Sequence, residues 1–212
     1  MGTDIATRTL EMFKILDEHS PQSIDFLEWA NPFELLISAV LSAQTTDKQV
    51  NLVVPQLFKR FPDAQSLANA NMADVMEIIH STGFYRVKAA NIIELSRQLV
   101  MHFNGQVPTA MESLVTLPGV GRKCANVVLG RLGNAPAIIV DTHFGRVVRR
   151  VGLTTAKNPT MVERQIGSLL PSELHYRFSM IVNLHGRTTC QARKAFCDAC
   201  SICHLCESCS LE

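Results

Sequence analysis

Residues 107–133 read VPTAMESLVTLPGVGRKCANVVLGRLG, and the fold turns on them. Thr109 and Glu112 form a T-x-x-E capping box, which predicts a helix from there to about Leu117. Leu117-Pro-Gly-Val-Gly121 cannot continue it. Pro118 breaks a helix, and Gly119 and Gly121 admit backbone conformations closed to other residues. A second helix starts near Arg122, with Ala125, Val128, Leu129 and Leu132 on its buried side. This is a helix-hairpin-helix pattern. Its glycine-flanked turn presents backbone N–H groups at a helix N-terminus, where a phosphate oxygen meets donors and a favourable dipole together. A tight turn between two core helices is the plain alternative; the run Pro-Gly-Val-Gly-Arg-Lys favours the phosphate reading.

Outside this stretch the chain keeps reading as helix. Apolar residues recur at spacings of three and four in Leu10, Phe13, Leu16, in Leu35, Leu36, Ala39, Val40, and in Ala89, Ile92, Ile93, Leu99. Turn signals separate the segments, among them Asn31-Pro32, Phe61-Pro62-Asp63, Asn104-Gly105, Asn158-Pro159 and Pro171-Ser172. Pro55 falls within a helical pattern, where it either kinks the helix or begins its second half. No β-hairpin signature appears, and Ala137-Ile-Ile-Val140 is the one short stretch that could be extended. The fold class is all-α, with about ten helices and no sheet.

At 212 residues and 47% hydrophobic, the chain can bury one substantial core or two small ones. A net charge of +1 announces no polyanionic partner, yet from Gly119 to Arg150 six basic residues stand against a single acid, Asp141. Such a run suits phosphate binding or a solvated helix face. The start, MGTDIATRTL, is no secretory signal, and Ala6 stands where myristoylation wants Ser or Thr. No apolar run reaches the length of a membrane span. The expectation is a soluble protein of a reducing compartment.

Six of the seven cysteines crowd into Cys190-QARKAF-Cys197-DA-Cys200-SI-Cys203-HL-Cys206-ES-Cys209. Thiolates spaced by a few residues converge on a metal or an iron–sulfur cluster, which holds a tail too short to bury a core. A disulfide knot suits secreted chains. Zinc sites usually come as two Cys-x2-Cys pairs separated by a longer finger. Cys197, Cys200, Cys203, Cys206 and Cys209 instead run at a constant interval of three, closer to ferredoxin spacing. The tail reads as a metal centre, iron–sulfur ahead of zinc, and the even spacing leaves the choice of ligands open.

Leu117-PGVGR-Lys123, Val140-Asp-Thr-His143, Leu184-His-Gly-Arg187 and the cysteines, with Leu41-SAQTT-Asp47 and Gly83-FYRVK-Ala89 upstream, together resemble the endonuclease III-like DNA glycosylases of the helix-hairpin-helix superfamily. The likeness spans residues 25 to 206. It implies an enzyme that removes oxidised pyrimidines from duplex DNA and then cuts the strand at the abasic site. The implied setting is a monomer in a bacterial-type cytoplasm, at the nucleoid, with damaged duplex as partner and no membrane.

Carried over residue by residue, the resemblance puts Lys123 in the nucleophile's place and Asp141 in that of the catalytic carboxylate. Lysine has a reference pKa of about 10.4 and attacks only when neutral, which partial desolvation and a neighbouring Arg122 would favour. The plain alternatives are an exposed helix-end lysine and, for Asp141, an N-cap ahead of Thr142; Asp141 can do both. Gln44 matches the residue that fills the hole left by an everted nucleotide. Phe84 stands where the family inserts a side chain, often aliphatic, into the opposite strand; a core aromatic is the alternative. Gly119, Val120, Gly121, Arg122, His143 and Arg146 are placed against DNA. The family's Cys-x6-Cys-x2-Cys-x5-Cys pattern falls on Cys190, Cys197, Cys200 and Cys206 as ligands of a [4Fe-4S] cluster, leaving Cys203 and Cys209 as free thiols. Arg193 and Lys194, on the loop between the first two ligands, are set to touch phosphate, while Phe196 stands where further positive charge is often found.

The architecture so implied has a helical domain at 25–133, with the hairpin at 109–133, and a cluster domain of 1–24 plus 134–212. A DNA-binding cleft would lie between them, Lys123 coming from one and Asp141 from the other. Adenine glycosylases of the superfamily lack this lysine and usually carry a further C-terminal domain, whereas this chain has Lys123 and ends at Glu212. Mismatch thymine or uracil glycosylases also lack it. A non-catalytic iron–sulfur DNA-binding or redox-sensing module would need neither Lys123 nor Asp141.

Overall fold

A computed structural model describes residues 4–133 and 135–209. Among them every regular element is helical, and the one β feature is an isolated antiparallel bridge between Cys190 and Ala195. The all-α expectation is met, and Ala137–Val140 runs as irregular chain. The helices in chain order begin with α1 (Ile5–Glu18), α2 (Pro32–Leu41), α3 (Asp47–Arg60), α4 (Ala64–Ala68), α5 (Met72–Ile79) and α6 (Tyr85–Phe103). They continue with α7 (Met111–Leu114), α8 (Arg122–Arg131), α9 (Thr142–Val151), α10 (Pro159–Gly167) and α11 (His175–Thr188). The chain gathers into two compact units, one of Asp25–Asn134 and one of Met1–Ile24 with Ala135–Glu212.

In the first unit α2 is the hub, because it is apolar on nearly every face. Seven of its hydrophobic residues, from Phe33 to Leu41, are buried, and so is Ser38. Its start is set locally: the Asn31 side chain accepts the Glu34 N–H at 3.0 Å, and Pro32 supplies a helical φ at the first position. Helices α3, α6 and α8 pack on it, while α4 and α5 lie against α6. Leu36, Leu57 and Ile92 are fully enclosed, and each such side chain contributes about 1.5–3 kcal/mol by leaving water. Helix α3 passes through Pro55 as one element.

The hairpin departs from expectation in two ways. The first helix is a single turn, α7, whose N-cap is Ala110 in extended conformation, without a side-chain cap. Thr109 therefore stands one residue too far upstream to close the box with Glu112, and the chain leaves α7 through successive turns, Leu117 N–H to Leu114 O and Val120 N–H to Leu117 O. The two glycines also differ. Gly119 has φ +77°, and a Cβ there would meet Val40 Cγ1 at 3.0 Å and Asn91 Nδ2 at 3.1 Å. Gly121 has an ordinary extended backbone, φ −88° and ψ 172°, and a Cβ on it would meet nothing within 4 Å. Ala125, Val128 and Leu129 of α8 are buried as expected, and Leu132 caps the helix half-buried.

In the second unit α9 and α11 pack together and α1 lies on α11. Phe178 is the aromatic centre, edge-on to Phe144 with ring centroids 6.0 Å apart and tilted to Phe13 at 6.4 Å. Arg177 ties α11 to the end of α1, donating to Asp17 Oδ1 at 2.6 Å and to the Gln22 carbonyl at 3.0 Å. Helix α9 ends at Gly152, whose φ of +85° is left-handed and whose missing Cβ leaves room for the Glu207 carboxylate. Arg8 of α1 closes that corner, bonding Glu207 Oε1 at 3.1 Å and the Gly152 carbonyl at 2.9 Å.

Candidate active site

The candidate residues fall into four groups, and each is built by a different element. The first is the N-terminus of α8. A helix leaves its first N–H groups without intrahelical acceptors, and Gly121, its N-cap, offers no side chain to satisfy them. Val120 is 5% exposed and anchors the turn, while Gly121, Arg122 and Lys123 face solvent. The neighbouring Cys124 keeps some surface, but burial pushes its thiol up to about 12 against the opposite pull of Lys123. A thiol held neutral is a poor nucleophile, whereas the Lys123 amine beside it stands exposed.

The second group surrounds Asp141. Its Oδ1 accepts the Phe144 N–H at 2.8 Å, so it caps α9 as its place before Thr142 predicts. Its Oδ2 accepts from Asn183 Nδ2 at 2.5 Å, and Asn183 Oδ1 accepts from Arg187 Nε at 2.6 Å. The carboxylate is thus fixed by both oxygens, one to its own helix and one to α11. His143, the second residue of α9, lies against Gly186, where a Cβ would come within 3.1 Å of it. Arg146 is half-buried and engaged with main chain, donating to the Cys190 carbonyl at 3.0 Å and the Gly186 carbonyl at 2.5 Å.

The third group is a pair of exposed side chains in the first unit. Gln44, just after α2, and Phe84, just before α6, both adopt left-handed backbone, φ 53° and φ 47°. Phe84 is 66% exposed, which removes the reading of it as a core aromatic.

The fourth is the cysteine tail. Cys190, Cys197, Cys200 and Cys206 are half-buried free thiols lining one cavity with Arg150, His185 and Ile202. Burial pushes the Cys200 and Cys206 thiols up, and repulsion from the neighbouring cysteines adds to it. Burial also holds His185 down at about 4, so it is neutral, with Nε2 3.7 Å from Cys200 Sγ. Arg150 Nη1 lies 3.3 Å from Cys190 Sγ and donates to the Gln191 carbonyl at 2.8 Å. Among the described residues no three His, Cys, Asp or Glu side chains are arranged around a single metal ion. The expectation that Cys203 and Cys209 are free thiols is overturned, because they form a disulfide. The cause lies in the backbone: Cys200, Cys203, Cys206 and Cys209 each donate N–H to the carbonyl three residues earlier. These successive turns bring the Cys203 and Cys209 Cα atoms to 5.5 Å, a spacing that a disulfide spans.

Sequence reasoning named Lys123, Asp141, the hairpin and the four cysteines but missed Asn183, His185, Arg187 and Arg150 as supports. The stretch Leu184-His-Gly-Arg187 was the available signal, with Asn183 four residues before Arg187 on the same helix face.

An all-α protein with a helix-hairpin-helix turn, an accessible lysine at its second helix and a cysteine-lined tail defines a class of DNA repair proteins. Residues 37–172 match the family of HhH-GPD superfamily base excision DNA repair proteins. Endonuclease III of Synechocystis sp. is 45% identical over 202 residues, covering 95% of this chain and 92% of its own. Endonuclease III of Escherichia coli (strain K12) is 40% identical, covering 94% and 95%. A solved structure of a non-covalent endonuclease III–DNA complex superposes with a TM-score of 0.91 at 35% identity, over 98% of this chain and 97% of that one. The structure of a trapped endonuclease III–DNA covalent intermediate gives a TM-score of 0.90 at the same identity, over 98% and 97%. The chain belongs to the endonuclease III family of base excision DNA repair enzymes, DNA glycosylases with abasic-site lyase activity. Among the described residues no helix is long and apolar enough to cross a membrane.

Proposed function

We propose that the chain excises oxidised pyrimidines from duplex DNA with Lys123 as nucleophile and Asp141 as the catalytic carboxylate, then nicks the abasic site by β-elimination. The observation that carries this is the exposed lysine on the first turn of α8, beside helix N–H groups that no side chain caps. A phosphate received there would hold the strand while the neutral amine attacks C1′ of the damaged nucleotide. The C1′–N bond breaks, and its electron pair leaves with the base, which takes up a proton. The sugar ring opens to an imine with Lys123. The imine acidifies C2′, whose proton is lost as the C3′–O bond breaks and the 3′ phosphate departs. Asp141 stabilises positive charge on the sugar or takes the lysine's proton. Asn183 and Arg187 keep its carboxylate aimed, and the Phe144 N–H holds its other oxygen.

Duplex DNA is held through Gly119, Val120, Gly121 and Arg122 of the hairpin, His143 of α9, and Arg193 and Lys194 of the tail loop. Arg146, bonded to two carbonyls, adds charge there while it positions the Cys190 segment. Gln44 and Phe84 enter the duplex when the nucleotide is everted. The first unit serves as the hairpin domain and carries Lys123; the second serves as the cluster domain and carries Asp141. The enzyme works on chromosomal DNA in a bacterial-type cytoplasm.

Cys190, Cys197, Cys200 and Cys206 would hold a [4Fe-4S] cluster. The donor set fits: four half-buried thiols share one cavity, and burial with repulsion from the neighbouring cysteines raises Cys200 and Cys206, so a cationic centre is what would stabilise thiolates there. When bound, such a cluster supplies no step of the reaction; it anchors the Arg193-Lys194 loop.

Borohydride reduction tests the nucleophile. Added during turnover, it should lock the chain covalently onto DNA carrying an oxidised pyrimidine or an abasic site. Lys123→Ala should abolish trapping yet still bind the abasic duplex. Asp141→Asn should slow base removal about 100-fold without loosening α9, because asparagine caps a helix as well as aspartate does. Trapping by Lys123→Ala at the wild-type level would place the nucleophile elsewhere.

A further inference from the structure

Three non-glycine residues among those described have left-handed backbone: Gln44, Phe84 and Asn104. Asn104 ends α6, where asparagine suits that conformation. Gln44 and Phe84 are different, because a glutamine or a phenylalanine persists there only when its surroundings over-determine it. The surroundings converge on Lys88, in the first turn of α6. Lys88 is 5% exposed, and its Nζ donates to Thr45 Oγ1 at 2.6 Å and to the Thr82 carbonyl at 2.8 Å. Thr45 follows Gln44, and Thr82 precedes Gly83-Phe84. The Thr45 hydroxyl in turn donates to the same Thr82 carbonyl. Nearby, Gln49 Nε2 donates to Ser81 Oγ at 2.7 Å, a second bond between the same two segments. Burial pushes the Lys88 ammonium below the usual lysine range. A buried lysine committed to a hydroxyl and a carbonyl serves the core less well than an apolar side chain of its length, so its role lies at the loops it joins.

We infer that Lys88 is a positioning residue for base removal: it clamps the Gln44 and Phe84 loops at one spacing, so that both side chains enter the duplex together as the nucleotide leaves it. This rests on the reading of Gln44 and Phe84 as the inserted side chains. Without the clamp each loop would still exist, but the two insertions would no longer be concerted. Eversion of a stacked, paired base would suffer most, and handling of a site already without its base would suffer least.

The test uses the full chain with its cluster. Lys88→Met keeps the stem and removes the donors; Thr45→Val removes the hydroxyl at one end and serves should the first variant not fold. Three quantities are followed in single turnover: release of an oxidised pyrimidine, cleavage at a ready-made abasic site, and fluorescence of a 2-aminopurine beside the lesion, which rises on unstacking. Lys88→Met should slow base release about 10- to 100-fold and remove most of the fluorescence rise. Cleavage at the ready-made abasic site should change by no more than about threefold. Thr45→Val should give the same split at smaller size, and the double variant should be no worse than Lys88→Met. Equal slowing of both reactions, or of neither, overturns the inference, as does an unchanged fluorescence rise. Gln44→Ala and Phe84→Ala run alongside. If these abolish the rise while the clamp variants do not, the clamp alone fails. If these too leave it intact, the reading of the inserted side chains fails and takes the clamp with it.

Discussion

The hairpin turn and the cysteine tail are both short and dense in motif, yet they are held by opposite means. The turn rests on packed side chains. Leu117 and Val120 are 3% and 5% exposed, and Gly119 lies so close to Val40 and Asn91 that a Cβ would crowd both. Among the described residues of the tail past Cys190, Ile202 alone is buried. The rest is pinned by polar bonds: Arg150 to the Gln191 and Ala192 carbonyls, Ser208 N–H to the Arg150 carbonyl, Arg8 to Glu207, and the Cys203–Cys209 disulfide. A turn backed by a core keeps its shape with or without its ligand. A tail that buries almost nothing depends on what its cysteines bind.

The largest expected effect exploits that difference. The purified chain should be brown, absorb at the blue end of the visible range, and contain about four irons. Serine at Cys190, Cys197, Cys200 or Cys206 should remove the iron, whereas Cys203→Ser and Cys209→Ser should retain it. In the iron-free variants the tail amides of Cys206 and Ser208 should lose hydrogen-exchange protection while α2 and α8 keep theirs. Stoichiometric zinc without iron after anaerobic purification would defeat the cluster assignment. Loss of protection in α8 as well would break the contrast between the two regions.

Next in size is the difference between the two glycines of the turn. Gly119→Ala forces a Cβ into left-handed backbone and against Val40 and Asn91, a cost of about 1–3 kcal/mol. Its melting temperature should fall by about 2–4 °C for each kcal/mol in a chain of this size. Gly121→Ala meets neither obstacle, so its stability should fall by no more than about 1 kcal/mol, the cost of exchanging a glycine N-cap for alanine. It should instead weaken binding to an abasic duplex, because the added methyl stands before the α8 N-terminus. One glycine would then belong to the fold and the other to the DNA. A destabilised Gly121→Ala with intact binding would reverse that division.

These contrasts mark where the sequence could be read and where it could not. Pro118-Gly119 announced a turn because the constraint is local to those residues, and Asp141 announced a cap because a helix start needs one within three residues. The capping box failed by a single residue, since Ala110 could take extended backbone as readily as Thr109. The Cys203–Cys209 pair was hidden by a constant spacing that fits a cluster and a ladder of turns equally. Asn183 under Asp141 and Lys88 under Thr45 join positions 42 and 43 residues apart. No periodicity in one chain encodes such a pair, because only packing brings them together.

The smallest effect tests whether the tail touches DNA at all. Arg193 and Lys194 are exposed, and Lys194 Nζ lies 5.8 Å from the centre of the Phe196 ring. The loop carrying them is fixed through its main chain, by Arg150 at Gln191 and Ala192 and by the bridge between Cys190 and Ala195. Alanine at both positions should therefore remove charge and leave the loop's path and the iron content unchanged. Each phosphate contact releases counterions and contributes about 0.9 to the slope of log affinity against log salt, so losing two should flatten that slope by about 2. Affinity should fall for damaged and undamaged duplex alike, because phosphates carry no information about the lesion. The preference for an oxidised pyrimidine should survive, since under the proposed function it rests on Gln44, Phe84 and Asp141. A slope that does not change in the double variant would show that the loop stands clear of the backbone, and the second unit's part in DNA binding would then have to come through Arg146 and the α9 end instead.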